Sequence, residues 1–447
     1  MVGGCADPGH GVTSVVMRTP VLVAAMAFIA LSSCCNRDHI KTLQEPIDSA
    51  EPAPAAVPAR CTMIGKETVV GDKPANPTSE DELLPFASEV GQGVAFDGGF
   101  ALGVLHPAGG GTRNAVVTVS NDGSSSRVVE LGDSHGDAEP PHVFAKGAVL
   151  GAAVLDPTGA SRTLRLARID GDTVHWASEI RQGVDESDAF DVVLGKERGL
   201  VVWDDVPKDR DVSGVYVSSF KVDTFESPTP ARVVTLPGVD ADSPRLVVRP
   251  GGFWLFWLVR RAQETDYDAR YRAEDIAYRW LEVVPLDDAG LMAGAPRRIG
   301  SDTGHVLAYD VAASGDGGAL VAWRDDDTPS GSMGGQLLVA MVRQGGIDGP
   351  DSVDDAHTGV GAPTLMNGWL AIADATGPTR IAPMSADGKL LDALRSEALL
   401  GMGEPLADRG DTMLIARPTG LAVRLFLAKC TREKLDAGDD DAQDTAD

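Results

Sequence analysis

One phrase recurs along this chain: a glycine followed by a short apolar strand. It reads "GGFALGVLHP" at Gly98, "GAVLGAAVLDP" at Gly147 and "GLVVWDD" at Gly199. It returns as "GFWLFWLVRR" at Gly252, "GALVAWRDDD" at Gly318 and "GWLAIADAT" at Gly368, then as "DTMLIARPTG" at Asp411. Spacings of roughly 40 to 65 residues mark one supersecondary unit used seven times, each burying its apolar faces against its neighbours.

The context of the phrase is constant. A strand precedes it, often opened by proline, as in "SPRLVV" at Ser243, "APTLM" at Ala362 and "EPLAD" at Glu404. A polar loop and a third strand follow, among them "NAVVTVSNDG", "RTLRLARIDGD", "GVYVSSF", "GQLLVAMVRQGG" and "TRIAPMSADG". Their Asn/Asp-Gly ends are hairpin signals. A fourth short strand closes most units ("RVVELG", "VHWASEIRQG", "ARVVTLPG", "PRRIGS"). Four antiparallel strands repeated seven times predict an all-β fold, a seven-bladed β-propeller over residues 61–432. Tandem β-sandwiches would need about 100 residues per domain, twice this repeat. Helical periodicity is confined to "YDARYRAEDIAYRW" at Tyr267, inside an insertion of the fourth unit.

The last unit is one strand short, since "AVRLFLAKC" runs straight into a charged tail, whereas "CTMIGKETVVG" at Cys61 has no unit of its own. An open ring would leave two unpaired edges, so Cys61–Gly71 is expected to complete the seventh blade. Cysteine usage points the same way. Of five cysteines, Cys5, Cys34 and Cys35 lie ahead of the body, leaving Cys61 and Cys430 as partners in an oxidising compartment. Two isolated cysteines are too few for a zinc site.

That compartment is read from the N-terminal region. Val21–Leu31 is an unbroken run of eleven apolar residues behind Arg18, the form of a signal peptide and too short to span a bilayer. Met17 makes a cleaner start for it than Met1. Leu31-Ser32-Ser33-Cys34 resembles the bacterial lipobox at all four positions. The resemblance implies cleavage after residue 33 and a lipid on Cys34, with Cys35 a bystander. Residues 34–60, including "EPAPAAVPAR", read as a disordered tether, and residues 433–447 as a disordered acidic tail. Residues 61–432 are similar in general form to secreted propeller-repeat lipoproteins of bacteria. Residence in the cell envelope follows as an expectation, lipid-anchored to the outer membrane and facing periplasm or surface.

Acids outnumber bases 66 to 39, for a formal charge of −27. A surface so acidic repels phosphate backbones and anionic headgroups, which excludes nucleic acid and leaves the anchor as the sole membrane contact. A monomer is expected. Zinc-protease, phosphate-loop, nucleophile-elbow and dinucleotide motifs are missing from the sequence. His106, His142, His175 and His305 are each isolated and read as turn or edge residues rather than catalysts. "SGDGGALVAW" at Ser314 resembles the sialidase Asp-box, but Trp323 falls two residues late and the motif occurs once, before a second strand.

What recurs is acid at one end of the units. Loops between units read "LGDSHGDAEPP", "VDESDAFD", "VDADSPR", "SDTGHVLAYD" and "VDDAHTG". After second strands come Asp204, Asp205, Asp325, Asp326, Asp327 and Asp374. In a propeller both sets share a face, so these aspartates are candidates to attract a cation such as Ca2+ or a basic partner. Ordinary turn chemistry is the favoured reading of them, because Asp bonds its own backbone and turns elsewhere in the chain are also Asp-rich. Trp203, Trp257 and Trp323, just before those loops, fit wedge-filling between blades. No cofactor is called for. The expected function is a non-catalytic binding or scaffold protein for a protein or glycan. The alternative is a glycan hydrolase or lyase pairing Asp204 or Asp205 with Asp325 or Asp326, since glycosidases need two carboxyls about 5–10 Å apart.

Overall fold

In the computed structural model the chain is described over residues 60–71 and 88–433, apart from 109–110, 135–138, 159–160, 184–188, 208, 210, 227, 263–276, 329–334, 355–360, 374–377, 402 and 420–421. All of these belong to one unit spanning 55–447. The expected signal peptide, Cys34, most of the tether, Asp374 and all of the acidic tail but Glu433 lie outside the described residues.

Seven antiparallel sheets form the blades of a ring. An N-terminal strand, β1 (Cys61–Val70), precedes them. Blade one is β2 (Glu89–Phe96), β3 (Gly99–Ala108), β4 (Gly111–Ser120) and β5 (Ser126–Ser134). Blade two is β6 (His142–Lys146), β7 (Val149–Thr158), β8 (Ser161–Asp170), β9 (Thr173–Trp176) and β10 (Arg181–Gly183). Blade three is β11 (Phe190–Leu194), β12 (Arg198–Asp205), β13 (Gly214–Lys221) and β14 (Arg232–Val233). Blade four is β15 (Asp240–Arg249), β16 (Gly252–Ala262), β17 (Ala277–Asp287) and β18 (Arg297–Ile299). Blade five is β19 (Val306–Ala313), β20 (Ala319–Asp326), β21 (Gly335–Arg343) and β22 (Gly346–Asp354). Blade six is β23 (Pro363–Met366), β24 (Trp369–Ile372), β25 (Arg380–Pro383) and β26 (Arg395–Ser396). Blade seven takes β27 (Glu404–Arg409), β28 (Thr412–Thr419) and β29 (Ala422–Cys430), then β1 as its outermost strand, in the order β1-β29-β28-β27.

The recurring glycine has a steric cause. Gly99 and Gly252 open second strands at φ 140° and 149°, and a Cβ on either would sit 2.0 Å from a carbonyl of the third strand. Only glycine tolerates that backbone and that approach. The apolar run behind it is buried on both faces. Along β16, Trp254, Phe256 and Leu258 join the cluster facing blade five, while Phe253, Leu255, Trp257 and Val259 join the one facing blade three. Strand alternation thus feeds two interfaces at once. Seven such clusters sit between successive blades, including one between blades seven and one.

Closure follows the expectation. Cys61 pairs in register with Cys430, the two form a disulfide across 369 residues of sequence, and both are buried. Arg60, assigned from sequence to the tether, is built into the body. Its backbone N–H donates to Glu397 Oε1 at 3.0 Å, and its buried guanidinium pairs with Asp392.

Two local expectations are corrected. "VHWASEIRQG" is not one strand: β9 and β10 both pair with β8, and the Ala177 and Ile180 N–H groups bond Leu166 and Leu164 between them. Ala277–Trp280, the end of the stretch read as helical, belongs to β17, whose register with β16 continues to Ala262↔Ala277. The Ser-x-Asp-Gly turn that opens the Asp-box-like phrase at Ser314 has two shorter counterparts, which lack the second glycine and the tryptophan of that phrase. The Ser120 and Ser385 hydroxyls donate to Asp122 and Asp387 at 2.7 and 2.5 Å in the matching turns Ser120–Gly123 and Ser385–Gly388. Backbone N–H groups of Ser124 and Gly318 hold the Asp122 and Asp316 carboxyls down at about 2.

Candidate functional site

The innermost strands enclose a cavity of about 650 Å³ to which all seven blades contribute. Its lining runs from the connector residues Glu139, Pro140 and Ala362 along the inner strands to Leu194 and Val248, so it reaches the inter-blade end of the ring. Four of the inner strands carry a register shift where they meet it: between Val90 and Gly93, Asp242 and Arg245, Val306 and Ala308, and Pro405 and Ala407. Gln92, Ser243, Leu307 and Leu406, inside those irregularities, all line the cavity. A bulge inserts a residue and re-aims its neighbours, which is how a sheet edge acquires a side chain pointing at a ligand.

The bulge of β15 is the most constrained. Ser243 sits at φ 52°, a left-handed conformation that side chains other than glycine seldom adopt. Its N–H donates to Asp204 Oδ2 at 2.9 Å and its carbonyl accepts the Tyr309 hydroxyl, so blades three and five both hold it. Strain fixed from two sides over-determines where the next residues of β15 sit. Two positions along is Arg245.

Arg245 has counterparts at its own level. Asp191 pairs with Val202 ahead of Trp203, Arg245 with Phe256 ahead of Trp257, and Asp310 with Ala322 ahead of Trp323. Three successive inner strands therefore present Asp, Arg and Asp to the cavity. The two carboxylates are already engaged. Asp191 accepts the N–H of Val192 at 2.8 Å and of Leu246, in the next blade, at 2.7 Å. Asp310 accepts the N–H of Leu365, likewise in the next blade, at 2.7 Å. Burial pushes the Asp310 carboxyl up to about 6, against Arg245 and the Leu365 and Val311 N–H groups, which favour its charged form. Burial also drives the Tyr309 phenol well above its ordinary range, with Arg245 partly offsetting it. Burial works against the charge on Arg245, but Asp191, Tyr309, Asp310 and Glu139 outweigh it and raise the guanidinium above its usual value.

The aspartates expected on the inter-blade face divide. Backbone pairing places Asp204 and Asp325 beside the starts of inner strands: the Asp204 N–H donates to the Ala189 carbonyl at 3.2 Å, just ahead of β11, and Asp325 pairs with Val306 of β19. Yet Asp204, Asp205, Asp325 and Asp326 lie in strands β12 and β20, not in loops beyond them. Asp204 and Asp326 are buried; the first holds Ser243 and the second takes Arg324 at 2.6 Å. Asp205 is half-buried and accepts the Val206 N–H at 2.9 Å. Asp325 accepts the His305 N–H at 2.7 Å, and burial raises its carboxyl despite that bond. Asp327 is exposed. Among the described residues no three His, Cys, Asp or Glu side chains converge as metal donors. Trp203, Trp257 and Trp323 are buried in the clusters between blades, in wedge-filling positions.

Of the histidines read as turn or edge residues, His142 and His175 lie in edge strands, β6 and β9, and His106 in the second strand of its blade. His142 lies in β6 on the cavity wall, stacked 4.2 Å from Phe190. His106 lies in β3 with Nε2 3.2 Å from Glu130 Oε1, and His305 stacks on Tyr278 at 5.7 Å. His175, in β9, is exposed. No sequence signal singled out Arg245. Only the proline-opened phrase "SPRLVV" marked its strand, and a bulge leaves no motif.

The sequence matches no protein-family profile and no curated protein. Its fold is similar to several solved propellers. The β-propeller domain of the Trilobed protease from Pyrococcus furiosus has a TM-score of 0.45 at 10% identity, over 76% of this chain and 93% of that one. The α-L-arabinofuranosidase Arb93A from Fusarium graminearum has a TM-score of 0.43 at 10% identity, over 74% and 97%. The WD40 domain of Toxoplasma gondii coronin has a TM-score of 0.44 at 10% identity, over 86% and 90%. These likenesses are of fold.

Proposed function

We propose that this chain is a lipid-anchored propeller of the bacterial cell envelope and serves there as a non-catalytic scaffold, binding a protein or glycan on its inter-blade face. The observation that carries the binding reading is the cavity of about 650 Å³ ringed by all seven inner strands and reaching the connectors of that face. Clefts of this size are where proteins take ligands. The Cys61–Cys430 disulfide supports an oxidising compartment, and the lipobox-like Leu31–Cys34 supports the anchor. A glycan hydrolase or lyase is the second reading. Asp310 favours it, because a carboxyl poised near 6 suits general acid work.

The test is crosslinking in place. The full chain, produced in a bacterial host with a photo-crosslinking residue at Asp327 or at Asp288, is irradiated in intact envelopes. Asp327 is exposed on the inter-blade face, and Asp288 is exposed in the β17–β18 turn at the opposite end. Adducts at Asp327 and few at Asp288 are expected, with a fatty-acid label that disappears in Cys34→Ala. Equal crosslinking at both ends, or label surviving in Cys34→Ala, contradicts the reading.

A further inference from the structure

We infer that the central cavity is a binding site for a small carboxylate-bearing ligand, taken by the guanidinium of Arg245. The inference rests on the chain being a binding protein and names what its cavity would hold.

Arg245 is the charged donor of its level, and its fork is unspent: among the described residues it makes no hydrogen bond and no ion pair. The acids that raise its charge do so from a distance. Asp191 and Asp310 put their oxygens on backbone N–H groups of their own and the following blade rather than on the guanidinium. A half-buried guanidinium on the cavity wall without a direct acceptor is open to a ligand, and a planar two-oxygen anion is the group its geometry matches. The β15 bulge, fixed by Asp204 and Tyr309 at Ser243, sets the fork in place before any ligand arrives. The remaining wall is about half apolar, with Leu307 and Leu406 among it, and half polar, so it can accept a small molecule that carries both kinds of surface.

The surrounding charges give the site a pH signature. The groups facing Arg245 are Glu139 and His142 from the β6 side, Asp191 from β11, and Tyr309 and Asp310 from β19. Asp310 is the one whose carboxyl is raised to about 6. Below that pH it loses the negative charge that repels an incoming carboxylate, so binding strengthens on acidification.

The test is calorimetric titration of the purified full chain at pH 7.5 and 5.5 with three probes: sodium glucuronate, N-acetylalanylalanine and glucose. One of the two carboxylates is expected to bind, more tightly at pH 5.5, and glucose is not. The probe that binds tells a sugar acid from a peptide C-terminus. Arg245→Gln is expected to weaken binding by about tenfold or more, the worth of a charge-assisted bond, without a matching fall in melting temperature. Should that variant fail to fold, Arg245→Lys, which keeps the charge and loses the fork, carries the comparison with the same weakening expected. No binding of either carboxylate up to about 10 mM, or wild-type affinity in the variant that folds, overturns the inference. Such a failure with crosslinking still confined to Asp327 removes the cavity ligand and leaves the scaffold reading in place.

Discussion

Asp310 and Asp408 have carboxyls that burial lifts to about 6, whereas the turn residues Asp122 and Asp316 are held down at about 2. A carboxyl raised in the folded state binds more protons folded than unfolded, from its ordinary value near 3.8 up to about 6. Its stabilising contribution is therefore complete in acid and lost as pH rises through that window. The lowered pair does the reverse, contributing above the ordinary carboxylate range and losing it as pH falls toward 2. The melting temperature should thus rise between pH 7.5 and 5 and fall below about 3.5. A pH series by scanning fluorimetry checks this, and Asp310→Asn with Asp408→Asn should flatten the upper limb. Residues of this kind were half legible. The acid-rich ends of second strands were plain in the sequence, but which carboxylates would be buried was not. Asp204 and Asp205 are adjacent and chemically alike; strand alternation buries one against Ser243 and half-exposes the other.

At the scale of elements, β1 is the decisive strand. It completes a blade whose other three strands come from the far end of the chain, and the Cys61–Cys430 link pins its register. Closing so long a loop is worth up to about 5 kcal/mol in the chain-entropy view, the upper end of what a disulfide supplies. Replacing both cysteines with alanine should lower stability by a few kcal/mol in guanidinium titrations. Amide exchange should rise in β1 and β29 first, because propeller blades lean only on their neighbours. Uniform loss of protection across all blades would contradict that order. This closure was readable because two counts agreed: one strand too few at the end, and two cysteines left over. The division of the second blade's outer strand into β9 and β10 was not, since an edge strand buries little and its break leaves no hydrophobic signature. Nor was the strand at Ala277–Trp280, where long-range pairing with β16 overrides the local helical pattern.

For the molecule as a whole the dominant electrostatic fact is a formal charge of −27. Self-repulsion at that level destabilises a compact body, and salt screens it over about 10 Å at 0.1 M. Raising sodium chloride from about 50 to 500 mM should therefore raise the melting temperature by a few degrees. A fall instead would mean that surface ion pairs such as Arg113–Asp133 outweigh the excess charge. The architecture itself was the most legible property, because a repeat states the same instruction seven times and errors in one copy do not obscure the rest.

The two ends of the described body leave it side by side: the Thr431 N–H donates to the Arg60 carbonyl at 3.1 Å, immediately beyond the disulfide. A tug between the leading segment and the tail consequently meets a covalent bridge before it meets any blade. While that bridge is intact, six of the seven blades lie outside the line of force, and the ring transmits tension without being unwound. Reduce it, and the same tug can pay out the 369-residue span between the cysteines, roughly 1,200–1,300 Å of extended chain. The redox state of one bond decides whether this molecule behaves under load as a rivet or as a spool.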